Sequence, residues 1–216
     1  MNAFCEQADD DTAIIGSLPI FQDLENGVRE IPQTLTKPKR WNSEEYLERI
    51  TKVGFELGNP SMTLIRKDTL ELNERAWQTD ISADYLMHVI CPTKGDVVII
   101  PPGPIVLGIH KNQESQTANF SLSVKRMANT LYFLSEYPNT KLRLHSHLVA
   151  VIESFGFLIY AVGQLKNNGK LYKNFFKEWA NIAKLINPLD AFLNIHKIIA
   201  LFKTKYFGRN KNLDLA

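Results

Sequence analysis

Cysteine is nearly missing from this chain: Cys5 and Cys91 are the only two in 216 residues. Two thiols do not staple a protein of this length, so a disulfide scaffold is excluded and both read as free thiols in a reducing, cytoplasmic compartment. Nucleotide-binding loops of the Walker or Gly-x-Gly-x-x-Gly type are absent, so phosphates have no cradle. No serine stands in a Gly-x-Ser-x-Gly elbow, and neither cysteine has the sequence surroundings of a known nucleophile. Long apolar runs are lacking as well. The longest, Leu148 to Gly163, is interrupted by Glu153 and Ser154 and is short for a bilayer span. The N-terminus is acidic, with no basic region leading into an apolar run, which argues against a secretory signal. The expectation is a soluble protein without a cofactor or a metal.

What is present is an ordinary globular composition, 44% apolar and 22% charged, with enough apolar material for a sizeable core. The formal charge of +2 conceals an asymmetry. The first thirty residues carry Glu6, Asp9, Asp10, Asp11, Asp23, Glu25 and Glu30 against Arg29. From Gly163 onward, Lys166, Lys170, Lys173, Lys177, Lys184, Lys197, Lys203, Lys205, Arg209 and Lys211 face only Glu178, Asp190 and Asp214. The acidic head and basic end either attract each other across the surface or face separate partners.

Residues 1–40 carry few periodic signals, and their acids together with Pro19, Pro32 and Pro38 predict a largely irregular acidic arm. Asn42 and Glu45 form a capping-box pattern, and Tyr46, Leu47, Ile50, Val53 and Leu57 continue it as a helix that Gly58 and Pro60 stop. From Ser61 the period shortens. Met62–Arg66 and Thr69–Leu72 read as a hairpin, and Tyr85–Cys91, Val97–Ile100 and Ile105–Ile109 as further strands of a small antiparallel sheet. From about Gln116 four amphipathic helices are expected. The first has Phe120, Val124, Met127, Leu131 and Leu134 on one face, and the second runs from Leu142 to Val162. The third carries Leu171, Phe175, Trp179, Ile182 and Ile186, and the fourth carries Phe192, Ile195, Ile199 and Phe202. The fold class is therefore α+β. An N-terminal helix and a small antiparallel sheet (61–112) precede a packed group of about four C-terminal helices (116–207). Residues 41–207 read as a single domain and 208–216 as a basic tail.

Gly95-Asp96-Val97-Val98-Ile99-Ile100-Pro101-Pro102-Gly103 resembles the second signature of the cupins, a strand climbing from a Gly-Asp turn to a Pro-x-Gly turn. The resemblance covers about nine residues of a common strand–turn pattern. The metal-binding histidine that follows in that family has no counterpart at Ile105, Val106 or Leu107, and the upstream His-x-His pair is missing, so no ligand is carried over. His145-Ser146-His147, with Glu153 beyond, is the only close pair of metal-ligand side chains. On a strand both rings would share a face and, with His88 or His110, complete a site. On a helix they diverge by about 200° and cannot hold one ion. The helical register of the surrounding run favours two surface or half-buried histidines. Asp9-Asp10-Asp11 reads as a solvated acidic run.

The third C-terminal helix separates its faces most cleanly. At about 100° per residue, Lys170, Lys173, Lys177 and Lys184 fall within an arc of roughly 60°, opposite Phe175 and Trp179 and flanked by Phe176. Either these aromatics fill the core below solvated lysines, or part of the apolar face meets a partner helix or an anionic membrane. Nucleic acid fits less well, since arginine is scarce there and no reader motif accompanies the lysines. The leading expectation is a non-catalytic protein-interaction module (an adaptor, chaperone or regulatory subunit) that binds a protein partner or itself through these helices. One alternative is an enzyme with a histidine site near the sheet, metal-dependent or not, drawing on His88, His110, His145, His147 and Glu153. The other is a peripheral membrane protein.

Overall fold

The computed structural model describes residues 2–17, 20–23, 27, 29–30, 35–53, 62–69, 82–101, 106–109, 120–168 and 174–207. In chain order the elements are α1 (Asn2–Cys5), β1 (Thr12–Ser17), β2 (Ile20–Asp23), β3 (Arg29–Glu30), β4 (Lys39–Trp41), α2 (Ser43–Val53), β5 (Thr63–Ile65) and α3 (Ala83–Ile90). There follow β6 (Asp96–Ile100), β7 (Val106–Ile109), α4 (Phe120–Ser135), α5 (Thr140–Asn168), α6 (Phe175–Ala183), α7 (Pro188–Leu193) and α8 (Ile195–Phe207). The architecture is α+β, with most of the helix content in the C-terminal half.

The strands form two small sheets, ordered β4-β6-β1-β5 and β3-β2-β7. Their directions are mixed rather than antiparallel throughout. β1 runs parallel to β6, with Ser17 opposite Ile100, and β2 runs parallel to β7, with Ile20 opposite Val106. The expected hairpins are corrected accordingly. β5 pairs antiparallel with β1, while Lys67–Thr69 is a 3-10 turn and the rest of the expected second strand lies outside the described residues.

The largest correction concerns the expected irregular arm. All six residues of β1 are buried at the centre of the four-stranded sheet. A strand covered on both faces shows a continuous apolar run instead of alternation, so Ala13-Ile14-Ile15-Gly16 gave no period to read. The segment before it is also engaged, through the Asp9 carboxylate and the backbone carbonyls of Asp10 and Asp11. Arg40 pairs with Asp9 at 2.7 Å and with Asp96 at 3.1 Å, and the Arg66 guanidinium donates to the Asp10 carbonyl. The guanidinium of Arg40 and the hydroxyl of Thr12 hold the Asp9 carboxyl down at about 2. Asp96 N–H donates to the Asp11 carbonyl at 2.7 Å beside Gly95, where any side chain would collide with that same carbonyl.

Tyr85–Cys91 is helical over Ala83–Ile90 instead of a strand. Its β-formers place Leu86, Val89 and Ile90 at i, i+3 and i+4, and all three are buried, so packing overrides strand propensity. α2 begins as its capping box predicts: Glu45 N–H donates to Asn42 Oδ1 at 2.9 Å, and Asn42 N–H to Glu45 Oε2 at 3.3 Å. The stop expected at Gly58 and Pro60 lies outside the described residues. α2 and α3 cover one face of the larger sheet through Ile14, Val97, Ile99, Tyr46, Ile50 and Leu86. Phe4 of α1 covers Ile15, Val98 and Ile100 on the other face.

The helical half has its own core, in which Val124, Ala128 and Leu131 of α4 meet Ala150, Phe157 and Ala161 of α5 and Phe175 and Ile182 of α6. The Thr130 hydroxyl accepts from Ser82 N–H at 2.9 Å and donates to the Arg126 carbonyl, tying the start of α3 to α4. Phe192, expected on the fourth helix, belongs to α7. Asn187 caps that short helix by accepting from the N–H groups of Leu189 and Asp190.

Candidate functional site

Two places carry the candidate residues. The first is a polar seam between α3 and α5. His145 and His147 are both on α5, so their rings diverge and do not form a chelating pair. His145 is fully buried, which corrects the expected surface or half-buried position. The Tyr85 hydroxyl meets His145 Nε2 at 2.5 Å, and the two rings lie nearly parallel with centroids 6.1 Å apart. Burial pushes the His145 pKa down to about 4, against a smaller upward pull from the Ile50 backbone, so the ring is neutral near pH 7. Burial also pushes the Tyr85 phenol upward, with the charge of Glu153 acting in the same direction. His88, fully buried on α3, is lowered to about 4 by desolvation. His147 turns the other way and holds Asp190 of α7 through Nδ1 at 2.6 Å.

This arrangement joins helices. One histidine ties α3 to α5 and the other ties α7 to α5, while His110 lies outside the described residues. Among the described residues, no three His, Cys, Asp or Glu side chains come together to hold a metal ion. Tyr85 and His145 were not expected to meet, because Tyr85 was read as part of a strand.

The second place is the outer face of the C-terminal helices. At about 100° per residue, Leu144, Leu148, Ile152, Phe155, Ile159 and Val162 share one face of α5. The N-terminal half of that face is covered by α8, where Leu201, with Ile198 and Phe202, packs on Leu148 and Ile152. The covering layer then ends. Phe155 is 55% exposed, Ile159 55% and Val162 66%, with Leu158 and Leu165 exposed beside them. The layer above repeats the pattern: Leu189, Phe192 and Leu193 of α7 and Ile195 and Ile199 of α8 are all exposed, Phe192 by 76%. Isolated exposed apolar side chains are ordinary on soluble proteins, but ordered rows of them mark contact surfaces.

α5 is also a helix long and apolar enough to cross a bilayer by composition, over Thr140–Gly163. Leu142, His145, Ser146, Leu148, Ala150 and Ile152 are nevertheless buried inside the protein, as in the core helix of a soluble fold.

The residues expected to meet a partner are divided by the structure. Phe175 is buried against Phe157, with ring centroids 5.6 Å apart, and Trp179 is half-buried beside the same core. Phe176 stands 69% exposed, edge-on to Phe175, and Lys177 and Lys184 are exposed on α6. Lys170 and Lys173 lie outside the described residues. The bare row on α5 was not singled out by sequence reasoning, although the run Leu148–Gly163 was the apolar maximum of the chain.

Compared with protein-family models, with curated proteins and with solved structures, the chain gives no match.

Proposed function

We propose that this protein is a non-catalytic interaction module that works through the outer face of its C-terminal helices. The observation that carries the reading is the row Phe155, Leu158, Ile159, Val162 and Leu165, which continues a covered face of α5 into solvent. Covering these five large apolar side chains with a partner removes their surface from water, which favours association.

The test is Ile159→Glu combined with Val162→Glu in the full chain, compared with wild type by sedimentation of native extract. Wild type is expected in particles heavier than the 24.6 kDa chain, and the variant as free chain with an unchanged Tm. Equal sedimentation of the two proteins refutes the proposal.

A further inference from the structure

We infer that the partner of this outer face is an anionic lipid surface, on which the protein lies with α5 and the α7–α8 pair against the headgroups. The inference rests on the reading of the face as the working surface and adds what covers it.

Charge decides between the occupants. Among the described residues from Phe155 to Lys203, every exposed Asp, Glu, Lys or Arg side chain is a lysine: Lys166, Lys177, Lys184 and Lys203. The acids in this stretch are half-buried, and Asp190 is paired with His147. The acidic head does not neutralise this end through its engaged acid, because Asp9 is taken by Arg40. Two of the lysines continue the bare rows directly. Lys166 follows Val162 by four residues on α5, and Lys203 follows Ile199 by four on α8, so each apolar row ends in a cation on its own face.

A second copy of the chain fits such a face poorly. Two-fold pairing sets a patch against itself, and here it would set lysine against lysine with no exposed acid to answer it. A lipid interface matches both features. Phe, Leu and Ile enter the acyl boundary while the lysines, reaching outward, meet anionic headgroups. The exposed apolar side chains also come from three helices, α5, α7 and α8.

The test uses the purified full chain with vesicles of phosphatidylcholine alone and of phosphatidylcholine mixed with phosphatidylserine. Wild type is expected to sediment with the mixed vesicles at low salt, to be released as salt rises, and to ignore the neutral ones. Ile159→Glu with Val162→Glu is expected to lower the bound fraction at least tenfold. Lys166→Glu with Lys203→Glu is expected to lower the lipid partition constant about fivefold or more per lysine, at about 1 kcal/mol for each cation near the surface. These sites are exposed, and circular dichroism confirms that each variant is folded before it is compared.

Failure to bind mixed vesicles at low salt, equal binding to neutral vesicles, or indifference to the lysine reversal each overturns the inference. If vesicles fail while the native particles still depend on Ile159 and Val162, the lipid assignment falls and the interaction module stands. If neither depends on them, both fall.

Discussion

The sheet half and the helical half of this protein bury their apolar residues to different degrees. Around the four-stranded sheet both faces are covered, by α2 and α3 on one side and by Phe4 on the other, and Asp9 and Asp96 nearby are tied to Arg40. In the helical half α5 is enclosed for its first three turns and then continues with its apolar face open. A region that satisfies every layer from within specifies only itself. The helical half leaves one layer uncovered.

Substitutions sharpen this contrast, beginning where the loss of stability is greatest. Ile14→Ala at the centre of the sheet is expected to cost about 2 to 5 kcal/mol in urea unfolding, since the cavity is closed on all sides. A cost under about 1 kcal/mol would mean that this half is not tightly filled. Acid comes next. His88 and His145 have native pKa values near 4, below the ordinary 6.5. Between these values the unfolded chain takes up protons that the native state refuses, so their contribution is full above about pH 6.5 and is lost as pH falls toward 4. His145→Gln is expected to remove about one proton from the slope of stability against pH, about 2 kcal/mol at pH 5. An unaltered slope would place the titration elsewhere.

A smaller effect is expected at the contact between the halves. Lys197 of α8 meets Glu48 of α2 at 2.9 Å, and although burial pushes the Glu48 carboxyl up, Lys197 and Lys52 outweigh it and hold it below its ordinary value. Lys197→Met keeps the apolar stem and is expected to cost about 1 kcal/mol. The smallest loss is expected on the bare row, where Ile159→Glu with Val162→Glu stays within about 0.5 kcal/mol of wild type in the absence of a partner. A large loss there would show that the row is core after all.

The legible parts of the fold were those with local causes. Asn42 and Glu45 announced α2, and the helical period announced α4 and α5. Tertiary causes left no such trace. β1 had no alternation because both its faces are covered, and the acids ahead of it resembled a solvated run until Arg40, distant in sequence, claimed Asp9. Tyr85–Ile90 had strand-forming residues and helical spacing together, and only burial against the sheet decides between them. At the candidate site the divergence of His145 and His147 followed from helix geometry, whereas the meeting of Tyr85 with His145 needed α3 in place. The exposed face was hidden for a related reason. Leu144, Leu148 and Ile152 have the same period as Phe155, Ile159 and Val162, and periodicity does not distinguish a covered turn from a bare one.

The parallel pairing of β1 with β6 also bears on the order of assembly. Thr12 pairs with Asp96, so this side of the central strand is completed only after a loop of more than eighty residues has closed. Such closure is slow because its entropic cost precedes any contact that rewards it. α4 packs on α5, the next helix in the chain, and needs no such delay. The slowest step in refolding is accordingly expected to be the docking of β1 against β6, with α4 and α5 already formed.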